Sequence, residues 1–303
     1  MNAPRPDGVP EPRRLVHHPA VSGPTVLRIL LGGQLRRLRE ARDISPRDAG
    51  DAIRASASKI SRLELGRVGF KKRDVADLLT LYGVLAEDER EPLLDLAERA
   101  NRPGWWQSYS DILPPWFEVY IGLEEAASTL RVHETRLVPE LLQTEDYARA
   151  ALQIMHPMAS SNEIECRVNV LMRRQRILVG AAPPQVWALV DEAALRRPIG
   201  DAGTMRDQLG ALLEAVRSKR VTLQIVPPAR SAMTAMVGPF SLLRFAEPDL
   251  PDVVYMEQLT SALYLDKIAD LQVYKRHLDR LSVNAAPPAD TERVLTELLD
   301  AHG

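Results

Sequence analysis

Between Ser56 and Lys72 the chain carries Lys59, Arg62, Arg67, Lys71 and Lys72 among the small residues Ser56, Ala57, Ser58 and Ser61. Cations and hydroxyls at this spacing do no covalent chemistry. They make charge-assisted and neutral hydrogen bonds, the contacts that hold a polyanion and read the edges of its bases. Such contacts need a rigid support, and the local sequence provides one. Ser45 can accept from first-turn amides, Pro46 suits the first helical position, and Asp48 stands at the acidic position of a capping box, so a helix begins here. Ala49, Gly50 and Ile53 give it a narrow apolar stripe, Arg54-Ala55 interrupt it, and Ser56 offers a second N-cap. In the second helix Ile60 and Leu63 face inward and Ala57, Ser58, Lys59, Ser61 and Arg62 outward, while Gly66 supplies a left-handed stop. Helix, sharp turn, helix is the unit that lays its second member in the DNA major groove.

The charge distribution fits this reading. The 303 residues carry a formal net charge of −2, yet residues 26 to 84 hold 13 Lys or Arg against 7 Asp or Glu, a net of +6 that leaves −8 for the remainder. A local excess on an otherwise acidic protein is the footprint of a phosphate-binding surface. The plain alternative is a solvated helix face.

Catalytic patterns are absent from the sequence. Asp191-Glu192 follow a predicted strand, and His133-Glu134 look like a fragment of an acid/base or zinc site. Neighbours on a helix, however, point about 100° apart, and no HExxH, second His pair or Cys ligand accompanies them. Ser231, Ser241 and the six histidines form no GxSxG elbow, and neither GxxxxGK[ST] nor GxGxxG is present to cradle a phosphate. Cys166 is the single cysteine, which rules out an intramolecular disulfide and a cysteine metal cluster. Arg167 beside it could activate the thiol, but an inert thiol is the simpler reading. The expectation is a protein with no enzymatic activity, metal or cofactor. Its first twenty residues lack the apolar core of a signal peptide, and no run of 18 apolar residues could span a membrane, so a cytoplasmic location is expected.

These residues divide into an expected order of domains. Residues 1–23 hold Pro4, Pro6, Pro10, Pro12 and Pro19 and read as a disordered arm, either inert or tracking DNA through Arg13, Arg14, His17 and His18. Residues 24–100 form a five-helix bundle: one helix precedes the reading pair, with Leu27, Leu30, Leu31, Leu35 and Leu38 inside, and two follow it. Asn101 to Gly104 are a turn-rich linker. Six of the chain's fifteen aromatics then fall within sixteen residues: Trp105, Trp106, Tyr109, Trp116, Phe117 and Tyr120. The crowding makes either a pocket wall for a ligand or partner, or a packed junction. The junction is preferred, because a two-domain chain needs one.

Helices are expected to continue through residues 105–180, including the whole of Leu123 to Leu152. Past Pro183-Pro184 the period shortens to that of strands in QVWALVDE, RVTLQIVP, GPFSLLRFAE, DVVYMEQ and SALYLD. Helices are expected at Thr204–Lys219 and Lys267–Ser282. The fold class is therefore mainly α with an α+β C-terminal part, residues 101–285, built on a small mixed or antiparallel sheet, and residues 286–303 add a last helix.

Two resemblances extend this reading. SKISRLELG, preceded by GGQLRRLREARDIS and followed by VADLLTLYGV, resembles the Xre or Cro/repressor-type helix-turn-helix domain of bacterial regulators over about residues 26 to 84. That likeness implies base-edge contacts from Ala57, Ser58, Ser61 and Arg62, and phosphate contacts from Lys59, Arg67, Lys71 and Lys72, with Ser56 opening the set. The chain departs from the family where Pro46 replaces a usual Gln, removing a contact, and where Arg54 replaces a turn Gly, placing a non-glycine at positive φ. GWWQSYSDILPPWFEVYIGLEEAA, VWALVDEAALRRPIG and GPFSLLRFAEPDLPDVVYMEQ resemble the C-terminal domain of a large set of actinobacterial Xre-type regulators, over nearly all of residues 101 to 285. Those proteins are described as antitoxin-like transcriptional regulators, have no established biochemical activity in that domain, and are commonly encoded beside a small partner protein.

The resulting expectation is a sequence-specific regulator that binds double-stranded DNA as a homodimer and is controlled through its C-terminal domain by a partner or effector. The alternative is an antitoxin-like protein that sequesters a small neighbour-encoded protein and binds DNA only for autoregulation.

Overall fold

The structure, a computed structural model, describes residues 23–248 and 250–301. The expectations for the proline-rich arm, with Arg13, Arg14, His17 and His18, fall outside the described residues. Two compact units divide between Gly104 and Trp105.

The N-terminal unit contains α1 (Pro24–Glu40), α2 (Pro46–Ala52), α3 (Ala57–Glu64), α4 (Lys72–Leu81) and α5 (Glu87–Ala100). Three of these starts follow from local chemistry: Pro24 and Pro46 occupy first helical positions, and the Ser45 and Ser56 side chains cap α2 and α3. Leu31, Leu35, Ile60, Leu63, Leu78, Leu79 and Tyr82 make one core. A buried pair joins the last turns of α1 and α3: Arg39 donates from Nε and Nη2 to the two Glu64 carboxylate oxygens at 2.6 and 2.9 Å. Tyr82 lies beside this pair, and burial pushes its hydroxyl pKa up to about 12.

The C-terminal unit opens with a 3₁₀ turn, Trp105–Tyr109, and α6 (Pro115–Ala126). Then come β1 (Ala127–Glu134), α7 (Glu145–Met155), α8 (Ser161–Arg174), β2 (Gln185–Asp191), α9 (Glu192–Arg196), α10 (Ala202–Arg217), β3 (Val221–Val226), α11 (Ala232–Ala235), β4 (Phe240–Phe245), β5 (Val253–Glu257), β6 (Ala262–Leu265), α12 (Ile268–Asn284) and α13 (Thr291–Asp300). The six strands form one mixed sheet in the order β3-β2-β1-β4-β5-β6. β1, β2 and β3 run parallel, with helical crossovers between them, and β4, β5 and β6 add an antiparallel half to the other edge of β1. All five sequence-predicted strands are present. Phe240, Leu242, Val254 and Leu189 pack with Leu271, Leu278 and Leu281 of α12.

One element departs from the expectation. Residues 127–134 lie inside the stretch expected to be helical, yet they are β1, the strand on which both halves of the sheet pair. The reason lies in the burial of this strand. Ala127, Leu130 and His133 are buried at three-residue steps, a helical spacing: a register shift falls between Ala127 and Thr129, and from there the pairing is regular, so Leu130 and His133 are buried on opposite faces of the strand. Period alone cannot separate such a strand from a helix turn.

Candidate nucleic-acid interface

The α2–α3 pair is built as its sequence suggests. Ser45 accepts from the Asp48 amide and Ser56 from the Lys59 amide, each at 3.2 Å. Between the helices Arg54 stands at φ 55, in the left-handed region where a side chain is strained, and the Ala55 amide bonds back to the Gly50 carbonyl at 2.8 Å. The turn is this tight because of Gly50, where a Cβ would sit 2.6 Å from the Ala55 carbonyl oxygen. Gly66 ends the unit at φ 65.

The faces of α3 are sharply divided. Ile60, Leu63 and Glu64 are buried, while Ser56, Ala57, Ser58, Ser61 and Arg62 are exposed together on the other side. The cations around this face differ in their freedom. Lys59 is half-buried and held by Asp74 at 2.7 Å. Lys72 meets Glu98 at 3.4 Å, with both side chains mostly in solvent, a contact of little energetic weight. Arg62, Arg67 and Lys71 are exposed and have no ion pair among the described residues. Arg47 and Arg54 share that condition, although the sequence reading used neither as a contact. Their signal was a cation adjoining the reading helix on its N-terminal side. The face thus offers hydroxyls and an unpaired guanidinium at its centre and free cations around it. This arrangement can hydrogen-bond base edges and neutralise phosphates.

The aromatic residues singled out from the sequence are spread over different settings within the C-terminal unit. Trp106 is buried with Leu113, Ile121 and Val170. Trp105 meets Trp106 and Tyr109 edge-on, and the Arg173 guanidinium lies 4.5 Å from its ring centre. Tyr120 is buried and stacks on Tyr255 at 3.9 Å, whereas Trp116 lines an open cleft. Beneath these rings Arg174 is 2% exposed, paired with both Glu124 oxygens at 2.7 and 2.8 Å and with Glu140 at 2.5 Å. Burial opposes its charge, but Glu124 and Glu140 outweigh burial and hold the guanidinium pKa well above its ordinary value.

Of the carboxylates weighed as acid/base candidates, Asp191 and Glu192 have structural partners, and burial pushes the Glu134 carboxyl up to about 8. Asp191 caps α9 by accepting from the Ala193 amide and also accepts from the Thr234 hydroxyl, and Glu192 pairs with Arg196. His133 is fully buried in β1. Among the described residues no group of three or more His, Cys, Asp or Glu is arranged to hold a metal ion, and no helix is long and apolar enough to cross a membrane.

Comparison with known families agrees with this geometry. Residues 30–93 match a family described as Helix-turn-helix domain. The protein is of the DNA-binding regulator class, with α2 and α3 as its helix-turn-helix. Residues 117–297 match a family described as Domain of unknown function (DUF5753), and the chain belongs to that family. No curated protein and no solved structure gives a significant match.

Proposed function

We propose that the protein is a cytoplasmic Xre-type transcriptional regulator that reads operator DNA with α3 as a homodimer and performs no catalysis of its own. The observation that carries this reading is the exposed row Ser56, Ala57, Ser58, Ser61 and Arg62, ringed by the unpaired cations Arg67 and Lys71. Arg62 has the reach and fork geometry to read guanine. Arg67, Lys71 and Lys72 neutralise phosphates. Lys59 contributes least, because Asp74 already holds it. A single short reading helix contacts too few base pairs for tight specific binding, which is the argument for two copies on one operator.

Control enters through the C-terminal unit, by a ligand or partner that changes the operator affinity. The antitoxin-like alternative, sequestration of a small protein encoded nearby, makes a different demand: the chain without residues 1–100 would still neutralise that protein.

Arg62→Ala is expected to cost about 1–3 kcal/mol on operator DNA and to relax specificity at one base position. In contrast, Lys71→Ala is expected to weaken all sequences alike and to lower the slope of log affinity against log salt by about one. Fluorescence anisotropy on operator and scrambled duplexes measures both. Unchanged operator affinity in Arg62→Ala removes this residue from the reading set.

A further inference from the structure

The C-terminal unit holds an open cleft of about 460 Å³ between α6, α8 and the end of β5, within the size range of small-molecule sites. Its wall is aromatic: Trp116 and Phe117 line it, with their rings edge to face at 6.0 Å. Tyr264 fixes that wall by donating its hydroxyl to the Trp116 carbonyl at 2.6 Å. The rim is apolar, with Met155 at 47% and Leu259 at 95% exposure.

The charged lining decides what else the cleft would take. Two arginines face it, Arg167 and Arg174, which by themselves would suggest an anion. Both are already neutralised, Arg174 by Glu124 and Glu140 and Arg167 by Glu163 at 2.8 Å. Asp111 and Glu257 also line the cleft. Including the residues behind the arginines, five carboxylates answer Arg167 and Arg174, while Arg136 acts on Glu257 without an ion pair among the described residues and His156, also in the lining, has its pKa lowered by burial. Glu257 is the telling member. Its hydrogen bond is with the neutral Tyr255 hydroxyl, which donates at 2.9 Å, and no cation pairs with it among the described residues. A partly buried carboxylate beside Glu140, without a cation of its own, is a costly arrangement that a positive ligand would relieve.

We propose that this cleft binds a small organic cation, a protonated amine on an apolar body, with the ammonium on Glu257 and Glu140 and the apolar part against Trp116 and Phe117. The Phe117 ring already holds the Arg174 guanidinium 5.0 Å from its centre, so the wall contributes apolar and ring contact to the ligand body while the carboxylates hold the charge. This inference goes beyond the DNA-binding reading and does not depend on it.

Isothermal titration calorimetry of the full chain at pH 7.5 tests the site. The probes are 2-phenylethylamine, tryptamine and n-hexylamine, with 2-phenylethanol and phenylacetate as the neutral and anionic counterparts of the first. At least one amine is expected to bind, with 2-phenylethylamine at least tenfold tighter than its alcohol and phenylacetate weaker still. Glu257→Gln and Trp116→Ala are each expected to weaken the amine at least tenfold, and Glu257→Asp to retain part of the affinity. Thermal melts and circular dichroism show that each variant is folded. The proposal is overturned if no amine binds at millimolar concentration, if the alcohol or the acid binds as tightly as the amine, or if folded Glu257→Gln binds the amine as the parent does.

Discussion

The α3 face and the Arg174 site both gather arginines, and they use them in opposite ways. Arg62 stands in solvent with no carboxylate to answer it among the described residues, on a helix whose other side is packed. Arg174 is 2% exposed and shared by two carboxylates. A buried guanidinium must be paired, because desolvation without a counter-charge costs several kcal/mol, so Arg174 is consumed by the fold. An exposed, unpaired one costs nothing to the fold and is available to a partner. The difference shows that basic residues predict a polyanion surface only where their charge is left over. By that measure the helix-turn-helix has such a surface, whereas in α8 Arg167 and Arg174 are spent on carboxylates and only Arg173, over the Trp105 ring, is left exposed.

The most severe challenge to the comparison is Arg174→Met. Removing this guanidinium leaves Glu124, itself 2% exposed, buried without its partner. The C-terminal unit is expected to lose about 3–5 kcal/mol in urea denaturation followed by circular dichroism. A loss under about 1 kcal/mol would mean that the pair is solvated and that the contrast with Arg62 is weaker than drawn.

A smaller effect concerns pH. Burial, reinforced by Glu140, pushes the Glu257 carboxyl up to about 7, with Arg174 and Arg136 acting against the rise and Tyr255 donating to it. Between its ordinary 4.5 and about 7 the folded chain holds a proton that the unfolded chain has released. Stability from this group is therefore full below about 4.5 and declines as pH rises through about 7. Glu134, pushed up to about 8 by burial, has the same sign. Burial lowers the His133 and His277 pKa values, so these residues act in the opposite sense below 6.5. The difference between parent and Glu257→Gln isolates one group. Its decline, on the order of 1 kcal/mol after solvent screening, is expected to vanish in the variant when melting is compared from pH 5 to pH 8.

The regions also differ in how much of them the sequence disclosed. The α2–α3 unit obeys rules that span a few residues: Ser45 and Ser56 cap, Gly66 stops, and Arg54 takes the left-handed turn expected of it. Each is a local decision, so the exposed row on α3 was legible as well. The Lys59–Asp74 pair was not, because it joins residues fifteen apart across two helices. β1 was illegible for a related reason. Its strand character is imposed by pairing with β2 and β4, the latter more than a hundred residues away, and its buried positions mimic a helix. The same holds for the cleft, whose Trp116, Glu140 and Glu257 come from three separate segments. Aromatic crowding marked one wall and gave no sign of the carboxylates opposite.

The smallest expected effect sharpens the account at the turn. Arg54→Gly relieves the side chain held at φ 55 and is expected to stabilise the N-terminal unit by about 0.5 kcal/mol. If the free Arg54 cation also meets phosphate, the same variant binds DNA less tightly while melting higher. The two readouts then move in opposite directions, as they must at a residue kept for contact at some cost to the fold.

The central claim is that the uncompensated face of α3 reads a duplex in a pair of copies. It is tested most directly by selecting fragments of genomic DNA bound by the purified full chain and sequencing them. The account predicts enrichment of a two-fold-symmetric site whose half-sites lie about 34–36 Å apart or a multiple of that, and loss of the enrichment in Arg62→Ala. Recovery of only random fragments by the parent protein at physiological salt, or of no DNA at all at low salt, would contradict it.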